Sequence, residues 1–393
     1  MGRRYVIVFV ERSTKIAAMP ERENRISVGV DLRALVGTPT GIGFYTLALL
    51  ERMATAGDLR LVGMAHREPA HADELRSAGV EIEVAPALSG VVWQQTALPR
   101  RLGRGDIDAF WSPILTLPLM LPVPGITTVH DLTPLLHPEL HRLKVRWSIR
   151  PFLAHNLRQA AAIVADSEST AADLRRYYPQ CAERLQVIYP GVDPLFRPAE
   201  PERIATIRQE LDCPQGYLLY SGTLEPRKNL DLLLDAWEVA RERDPDFLNL
   251  ILTGPRGWAE PAFFRRLEAL LGRGVHWLGR QPRGRQVEIM QAARWFVYPS
   301  LYEGFGLGVA EAMACGVAPI ASRASSLPEI VGDAGFLVDP HDPSELVELF
   351  ARLPGEDGDS IGRRARRRAE RFDWGLAADR LAATVRIAAG ASV

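Results

Sequence analysis

Short apolar runs alternate with longer amphipathic stretches along most of the chain. One set of runs begins at Ile26 and a second set begins at Gly216. Most runs are separated by enough residues for a helix or a long crossover, which favours parallel strands in doubly wound sheets. The predicted strands are 26–31, 59–65, 80–85, 108–113, 126–131, 161–167 and 185–190 in the first set, and 216–222, 248–254, 275–279, 295–300, 317–322 and 335–340 in the second.

The two sets of strands predict an α/β protein with two Rossmann-like, doubly wound domains. The first domain is expected to span residues 25–196 and the second 197–371, because a proline-rich segment separates the two patterns. Residues 1–24 precede the first convincing strand and are predicted to be a flexible N-terminal extension. Residues 372–393 have helical apolar spacing and predict a closing helix.

Composition narrows the class of protein. The chain has 393 residues, 47% hydrophobic and 24% charged, which is typical of globular domains. The net charge of −1 gives no general basis for binding nucleic acid. Three widely spaced cysteines favour neither disulfides nor a zinc site, so a reducing cytoplasm is expected. Because no apolar run approaches the ~20 residues that span a bilayer, we expect a soluble or peripheral protein.

The densest candidate chemistry lies between Arg294 and Glu329. An apolar run there is followed by a glycine-rich turn, an alanine-rich helix pattern and a second apolar run, which indicates strand, loop, helix and strand. Glu303 precedes the glycines and Glu311 lies just inside the helix. If the helix begins near Gly306 to Gly308, its free N–H groups face the same space as the two carboxylates, which suits an anion.

Other loops follow predicted strands in the same way. Gly41 and Gly43 stand at a helix start, where a ligand site and a plain turn are equally consistent with the pattern. His130 ends the strand before Asp131, and the two side chains could serve a ligand or form a structural pair. After Gly222 come Arg227 and Lys228, which suit a diphosphate but could equally be surface charges.

Residues 139–158 form a basic stretch in which arginine and lysine interleave with apolar side chains. Such a stretch suits contact with anionic lipid head groups, and it equally suits a solvated helix with one buried face.

The segment YPSLYEGFGLGVAEAMACGVAPI resembles the signature of retaining glycosyltransferases with two Rossmann-like domains, family 4 in the sequence classification. TGIGFYT, TVHDL and SGTLEPRKN resemble further segments of that family, so the likeness covers nearly the whole chain from residue 25. The resemblance implies the GT-B fold, with two domains facing each other across a cleft. It also implies metal-independent transfer from a nucleotide-diphosphate sugar with retention of configuration, and a C-terminal helix that returns to the first domain.

The same resemblance implies roles for individual residues. Glu303 would approach the sugar, Glu311 would hold the ribose hydroxyls, and Lys228 would bind the donor phosphates. Many family members carry an arginine directly after the glycine of the SGTLEPRKN segment, but here Thr223 stands there, and Arg227 would supply that charge. His130 would approach the transferred sugar, with Asp131 in support. The remaining donor-binding candidates are Gly304, Phe305, Gly306, Leu307, Gly41, Gly43 and Gly222.

The motifs look most like bacterial mannosyltransferases of O-antigen and polysaccharide assembly, which makes mannose from GDP-mannose the expected transfer. No cofactor or metal is expected. The expected partners are the nucleotide sugar, a glycan or lipid-linked acceptor and an anionic membrane surface at the cytoplasmic face, but no nucleic acid. A sugar-nucleotide epimerase of similar fold and a non-catalytic nucleotide-sugar-binding subunit remain alternatives.

Overall fold

The computed structural model describes residues 25–38, 40–140 and 152–391. Thirteen β-strands lie in these residues, and each falls within or next to a predicted run. They are β1 Ile26–Asp31, β2 Leu59–Ala65, β3 Glu81–Val84, β4 Ala109–Ser112, β5 Gly125–Val129, β6 Ala162–Ala165, β7 Leu185–Val187, β8 Tyr217–Ser221, β9 Asn249–Thr253, β10 Val275–Trp277, β11 Trp295–Tyr298, β12 Ala318–Ser322 and β13 Phe336–Val338.

Helices fill the connections between strands, and polar residues such as Ser167 and Asp373 accept backbone N–H groups at their starts. The helices are α1 Gly41–Met53, α2 Ala72–Ser77, α3 Gly90–Leu102, α4 Thr133–Leu136, α5 152–159, α6 Glu168–Tyr177, α7 Pro201–Glu210, α8 Leu230–Arg243, α9 Pro261–Leu270, α10 Arg283–Ala292, α11 Leu307–Ala314, α12 Leu327–Val331, α13 Pro343–Arg352, α14 Gly358–Ala369 and α15 Trp374–Ala388. Short 3-10 turns cover Arg33–Leu35, Pro138–Leu140, Pro179–Arg184, Pro226–Lys228 and Leu353–Gly355.

The strands form two separate, wholly parallel sheets. The first sheet has the order β3-β2-β1-β4-β5-β6-β7 and the second β10-β9-β8-β11-β12-β13. In the second sheet, Leu218 of β8 pairs with Leu250 of β9 on one side and Trp295 of β11 on the other. The strand order reverses between β1 and β4 and again between β8 and β11, and ligands of such sheets bind at the carboxyl ends beside these reversals. The predicted pair of doubly wound sheets is confirmed.

Apolar side chains cover both faces of each sheet. The first domain has two apolar clusters, one on each face of its sheet, whereas the second domain has one continuous cluster. Parallel strands buried on both faces need near-continuous apolar runs, as the sequence has. Among the described residues, no helix is long and apolar enough to cross a membrane.

The last helix, α15, packs on the first domain although it follows the second in sequence. Its Leu381 and Val385 belong to the same apolar cluster as Leu49 of α1. The start of α15 also packs against the connection between domains, because a Cβ on Gly191 would lie 2.3 Å from the backbone nitrogen of Trp374. The chain therefore crosses between the two domains twice.

Two sequence interpretations cannot be compared with the structure. The predicted flexible extension at residues 1–24 lies outside the described residues. So does most of the basic stretch, since residues 141–151 are not described.

Leu381→Ala should lower the free energy of unfolding by about 2–5 kcal/mol, because it opens a cavity where α15 meets the first domain. Leu381 is fully buried, whereas Leu376 on the same helix is 47% exposed and provides the matched control. Leu376→Ala should change the free energy by less than about 0.5 kcal/mol. Urea denaturation followed by circular dichroism measures both, and equal losses in the two variants would contradict the packing described here.

Candidate functional site

Lys228 and Glu303 meet because β8 and β11 are neighbours in the second sheet. The loop after β8 carries Lys228 at the end of a 3-10 turn, and the loop after β11 carries Glu303. Both loops leave the carboxyl edge of the sheet at the point where the strand order reverses. The fold thus brings together two residues that are 75 positions apart in sequence.

The two side chains form the centre of a buried ion-pair cluster. Lys228 Nζ lies 2.6 Å from Glu303 Oε1 and donates a hydrogen bond of 2.5 Å to Tyr298 Oη. Arg227 Nη1 lies 2.7 Å from the other carboxylate oxygen, Glu303 Oε2. A second carboxylate, Glu225, accepts from Arg227 Nη2 at 2.7 Å. Because Lys228 is only 6% exposed, it needs this pairing to be tolerated as a charge.

The ion pairs decide the charge of Glu303. Burial by itself raises the pKa of this carboxyl, but the charges of Arg227 and Lys228 outweigh burial and hold the pKa at about 2. Burial, reinforced by Arg227, lowers the pKa of Lys228, against the opposing effect of Glu303. Burial also opposes the charge of Arg227, yet Glu303 and Glu225 raise its pKa overall. Glu303 is therefore an ionised carboxylate whose two oxygens are both held by cations.

The glycine loop brings this cluster against the first domain. A Cβ on Gly304 would lie 1.9 Å from the backbone oxygen of His130, so only glycine allows this approach. Phe305 follows and is buried. Gly306 has φ +99° and caps α11, which begins at Leu307 as the sequence predicts.

His130 is held from both sides of its ring. Its Nδ1 lies 2.6 Å from Asp166 Oδ2 and its Nε2 lies 2.7 Å from the backbone oxygen of Pro113. Since both partners are acceptors, both ring nitrogens must donate, which requires an imidazolium. Burial opposes that charge, but Asp166 and then the Pro113 carbonyl outweigh it and raise the pKa of His130. Neither ring nitrogen is left for a substrate, and the group that faces the second domain is the backbone carbonyl.

The pairing of His130 with Asp131, one of the two alternatives that the sequence left open, is not formed. Asp131 instead accepts the backbone N–H of Thr133 at 2.9 Å and shapes the turn before α4. The partner is Asp166, because β6 lies beside β5 and its carboxyl end brings Asp166 next to the histidine. Adjacent strands in the sheet decide the pairing here rather than adjacent residues in the sequence.

Glu311 faces a cavity of about 290 Å³ between the two domains. Its Oε1 lies 3.0 Å from Arg283 Nη2, at the start of α10. Burial raises the pKa of Glu311 to about 7, and the positive charge of Arg283 limits that rise. The cavity is lined by residues of α1 (Phe44, Leu47, Ala48, Glu51 and Arg52), of the connection between domains (Gly191, Asp193 and Pro194), of α10 and α11 (Arg283, Leu307 and Glu311), and by Trp374.

The remaining glycines have different surroundings. Gly41 is exposed at the first position of α1, with open space where a Cβ would be, whereas Gly43 is buried in the same turn. A Cβ on Gly222 would lie 2.6 Å from Tyr220 Oη, and the Gly222 carbonyl closely approaches Gly254. Gly222 therefore serves close packing at the end of β8, whereas the position of Gly41 at the start of α1 has room for a side chain.

Four residues with a direct part in this geometry were not found from sequence. Tyr298 and Glu225 complete the ion-pair cluster, Asp166 holds His130, and Arg283 holds Glu311. Tyr298 lies in the YPSLYE segment and Glu225 precedes Arg227 by two positions, so both stood beside predicted site residues. Asp166 and Arg283 gave no comparable signal, since their partners lie in other loops.

No group of three or more histidine, cysteine, aspartate or glutamate side chains is arranged to hold a metal ion in the described part of the chain. All three cysteines, Cys181, Cys213 and Cys315, are free and buried.

Comparison with known protein families places the chain. The family model for glycosyl transferases group 1 matches residues 204–369, and that for glycosyltransferase family 4 matches residues 39–195. Together these matches cover most of both domains. The chain belongs to the glycosyltransferases of group 1 and family 4, which these two models describe, and it has the GT-B fold.

Two curated relatives illustrate the likeness. The chain is 31% identical over 356 residues to the O-antigen chain mannosyltransferase B of Escherichia coli, covering 85% of this chain and 93% of that one. It is 32% identical over 234 residues to a D-inositol 3-phosphate glycosyltransferase of Corynebacterium efficiens, covering 56% of this chain and 55% of the relative.

Solved structures share the architecture. The Anabaena protein HepE, in complex with UDP and glucose, superposes with a TM-score of 0.72 at 22% identity, covering 92% of this chain and all of that one. WaaG, a glycosyltransferase involved in lipopolysaccharide biosynthesis, gives 0.69 at 18% identity, with 92% and 99% covered. At these identities the likeness shows the fold alone.

Glu311→Gln should change how stability depends on pH. The carboxyl has an ordinary pKa of 4.5 in the unfolded chain and about 7 in the folded protein. Between these values the folded state binds more protons, so wild-type stability falls as the pH rises. The variant lacks this proton and should gain about 3 kcal/mol relative to wild type from about pH 4.5 to 8, above which the difference levels off.

Urea denaturation across this pH range measures the effect. Loss of the Arg283 contact shifts the whole difference by a constant, so only its pH dependence is diagnostic. A difference that stays constant from about pH 4.5 to 8 would show that Glu311 is not a carboxyl of raised pKa.

Proposed function

We propose that the protein transfers a sugar from a nucleotide-diphosphate donor to a glycan or lipid-linked acceptor, with retention of configuration and without a metal ion. The donor we propose is GDP-mannose, and the setting is the assembly of cell-surface polysaccharide or glycoconjugate in the cytoplasm. The observation that carries the proposal is the buried cluster of Lys228, Arg227 and Glu303 at the strand-order reversal, held against His130 across the cleft.

The leaving group is a nucleoside diphosphate, which needs positive charge as the glycosidic bond breaks. Lys228 and Arg227 would supply two cations, and the N–H groups at the start of α11 lie in the same loop as Glu303. Positive charges and N–H groups placed beside the departing phosphates stabilise the negative charge that develops there in the transition state. Gly304, Phe305, Gly306 and Leu307 would line the diphosphate, with Gly222 and the Gly41–Gly43 turn on either side of the donor.

Glu303 would hold hydroxyls of the transferred sugar rather than attack its anomeric carbon. A carboxylate with a pKa of about 2, with both oxygens engaged by cations, is a weak nucleophile. This favours a route in which the acceptor oxygen bonds to the anomeric carbon as the bond from that carbon to the phosphate oxygen breaks. The acceptor proton then passes to a phosphate oxygen of the leaving group.

Glu311 would bind the ribose hydroxyls from the wall of the cavity. Its Oε1 is engaged by Arg283 at 3.0 Å, and because burial raises its pKa to about 7, binding of the ribose should strengthen as the carboxyl ionises around that pH. An ionised carboxylate accepts two hydroxyl hydrogen bonds, whereas the protonated form accepts fewer.

The choice of mannose rests on the relative that transfers mannose in O-antigen chains and that covers most of this chain. The inositol phosphate glycosyltransferase relative supports the wider class of sugar transfer. One scaffold of this kind serves many sugars, so the donor must be tested against alternatives.

A panel of nucleotide sugars, with and without glycan and lipid-linked acceptors, tests the proposal. We expect nucleotide release that depends on acceptor, is fastest with GDP-mannose and persists in EDTA, and a product whose anomeric configuration matches the donor by NMR. Glu303→Gln should reduce turnover by about a hundredfold or more while nucleotide binding is retained. Circular dichroism must show that this variant folds, because it leaves Lys228 buried beside one fewer carboxylate.

The other outcomes of this panel identify the alternatives. An isomerised donor without any acceptor would indicate an epimerase. Binding of nucleotide sugar with neither release nor isomerisation would indicate a non-catalytic subunit. Wild-type turnover in Glu303→Gln would remove Glu303 from the reaction.

We also propose that the first domain contacts anionic membranes, where a lipid-linked acceptor would lie. Exposed apolar side chains support this: Met120 is 79% exposed, and Leu119 and Phe152 near the basic stretch are also exposed. Flotation with liposomes should show binding that increases with anionic lipid and decreases with salt, and Met120→Ser together with Phe152→Ser should weaken it. Equal failure to float with neutral and anionic liposomes would exclude membrane contact.

A further inference from the structure

The segment Ser325–Glu329 has no role in the reaction described above, yet its first three residues contact the loop Glu303–Gly306. Ser325 Oγ accepts the backbone N–H of Glu303 at 2.7 Å. Ser326 Oγ lies within hydrogen-bond distance of the carbonyl oxygens of Glu303, at 3.1 Å, and Phe305, at 2.7 Å. Ser325 adopts φ +50°, a conformation uncommon for a residue with a side chain, which the surrounding contacts must maintain.

The same segment ends in a carboxylate that reaches the other domain. The two oxygens of Glu329 accept the backbone N–H groups of Glu168 and Ser169, each at 3.0 Å. These are the first residues of α6, where helix N–H groups have no partner within the helix and the dipole favours negative charge. Tyr189 Oη, in the connection between domains, donates a third hydrogen bond of 2.9 Å.

The start of α6 also touches the catalytic loop directly. The carbonyl oxygen of Gly304 accepts from Ser167 Oγ at 2.5 Å and from Thr170 Oγ1 at 3.2 Å. Tyr302 Oη donates to Asp173 Oδ2 at 2.5 Å. The helix start is thus bonded to the loop on one side and to Glu329 on the other.

Contacts within the second domain hold the backbone of Glu329 in place. Arg368 of α14 donates to the backbone oxygens of Glu329 and Ile330, each at 2.7 Å. Leu327 packs so closely on the loop that a Cβ on Gly306 would lie 2.6 Å from its side chain. Movement of Glu329 relative to the Glu303–Phe305 backbone is therefore restricted.

We propose that Glu329 is a positioning residue that joins the second domain to the start of α6 and thereby fixes the Glu303–Gly304 loop against His130. The inference deepens the proposed transfer reaction and rests on it for its kinetic consequence. Glu329 touches neither Lys228 nor the cavity beside Glu311, so it acts through the relative position of the domains.

Kinetics of Glu329→Ala test this role. Loss of alignment between groups on opposite domains should lower kcat by about tenfold to a hundredfold. The dissociation constant of GDP, measured by calorimetry, should change by less than about threefold, since the second domain keeps its ion-pair cluster. Tyr189→Phe removes one of the three hydrogen bonds and should have a smaller effect in the same direction.

The matched control is Glu345→Ala. Glu345 also accepts a backbone N–H, from Asp339 at 2.6 Å, and contacts Arg323, but all of these groups belong to the second domain. Its removal should leave kcat within about twofold of wild type. Glu329→Gln separates charge from shape, because its amide offers one acceptor oxygen to two helix N–H groups, and it should lie between wild type and alanine.

A distance measurement tests the same inference without relying on enzyme activity. Ser77→Cys on the first domain and Ala269→Cys on the second place two exposed labelling sites, and the native cysteines are buried. Spin labels at these positions should give a longer and broader distance distribution in the Glu329→Ala background than in wild type, with the Glu345→Ala background unchanged.

The kinetic and distance measurements together show which of the two proposals fails, the proposed transfer reaction or the role of Glu329. If no donor and acceptor pair supports transfer by wild type, the proposed function fails, while the distance distributions still decide whether Glu329 joins the domains. Unchanged distances together with kcat within about twofold of wild type in Glu329→Ala would overturn the inference.

Discussion

The buried charge of Lys228 is the constraint on which the rest of the structure depends. An amine that is 6% exposed is tolerated only beside a carboxylate, and the loss of one partner from a buried pair costs about 3–5 kcal/mol. Its partner Glu303 stands on a different loop, so the second domain must place the ends of β8 and β11 side by side. The strand order 10-9-8-11-12-13 does so, and the cluster in turn holds the glycine loop at the edge that faces the first domain.

The glycine loop also contacts the first domain, on the other side of the cleft. Gly304 has no Cβ, so its backbone reaches the carbonyl of His130 while its own carbonyl is held by the start of α6. The imidazolium of His130 is fixed by Asp166 and Pro113, at the ends of the strands on either side of its own. Charged groups on both domains are therefore held by ion pairs and hydrogen bonds before any substrate is considered.

Much of this could be predicted from sequence, and the limits have a physical cause. Strands such as Ile26–Asp31 and Trp295–Tyr298 are apolar runs bounded by polar or turn residues, so their periodicity identified them. Glu303, Glu311 and Lys228 lie in segments that resemble a known family. Asp166 and Arg283 stand 36 and 28 positions from their partners, and only the sheet order brings them together. A pairing of His130 with Asp131 stayed open at the level of sequence because the order of the strands is not visible there.

The charges of the cluster also bear on how a diphosphate would be accommodated. Lys228 and Arg227 are balanced by Glu303 and Glu225, so these four groups offer no net positive charge in their present arrangement. A diphosphate would be stabilised only if a cation exchanged a carboxylate for phosphate oxygen, or if the N–H groups of α11 supplied the difference. Glu303 is the carboxylate shared by both cations, whereas Glu225 contacts Arg227 alone. Exchange at Glu303 would free its oxygens for sugar hydroxyls while Lys228 and Arg227 turn to the phosphates, which couples recognition of the sugar to recognition of the leaving group.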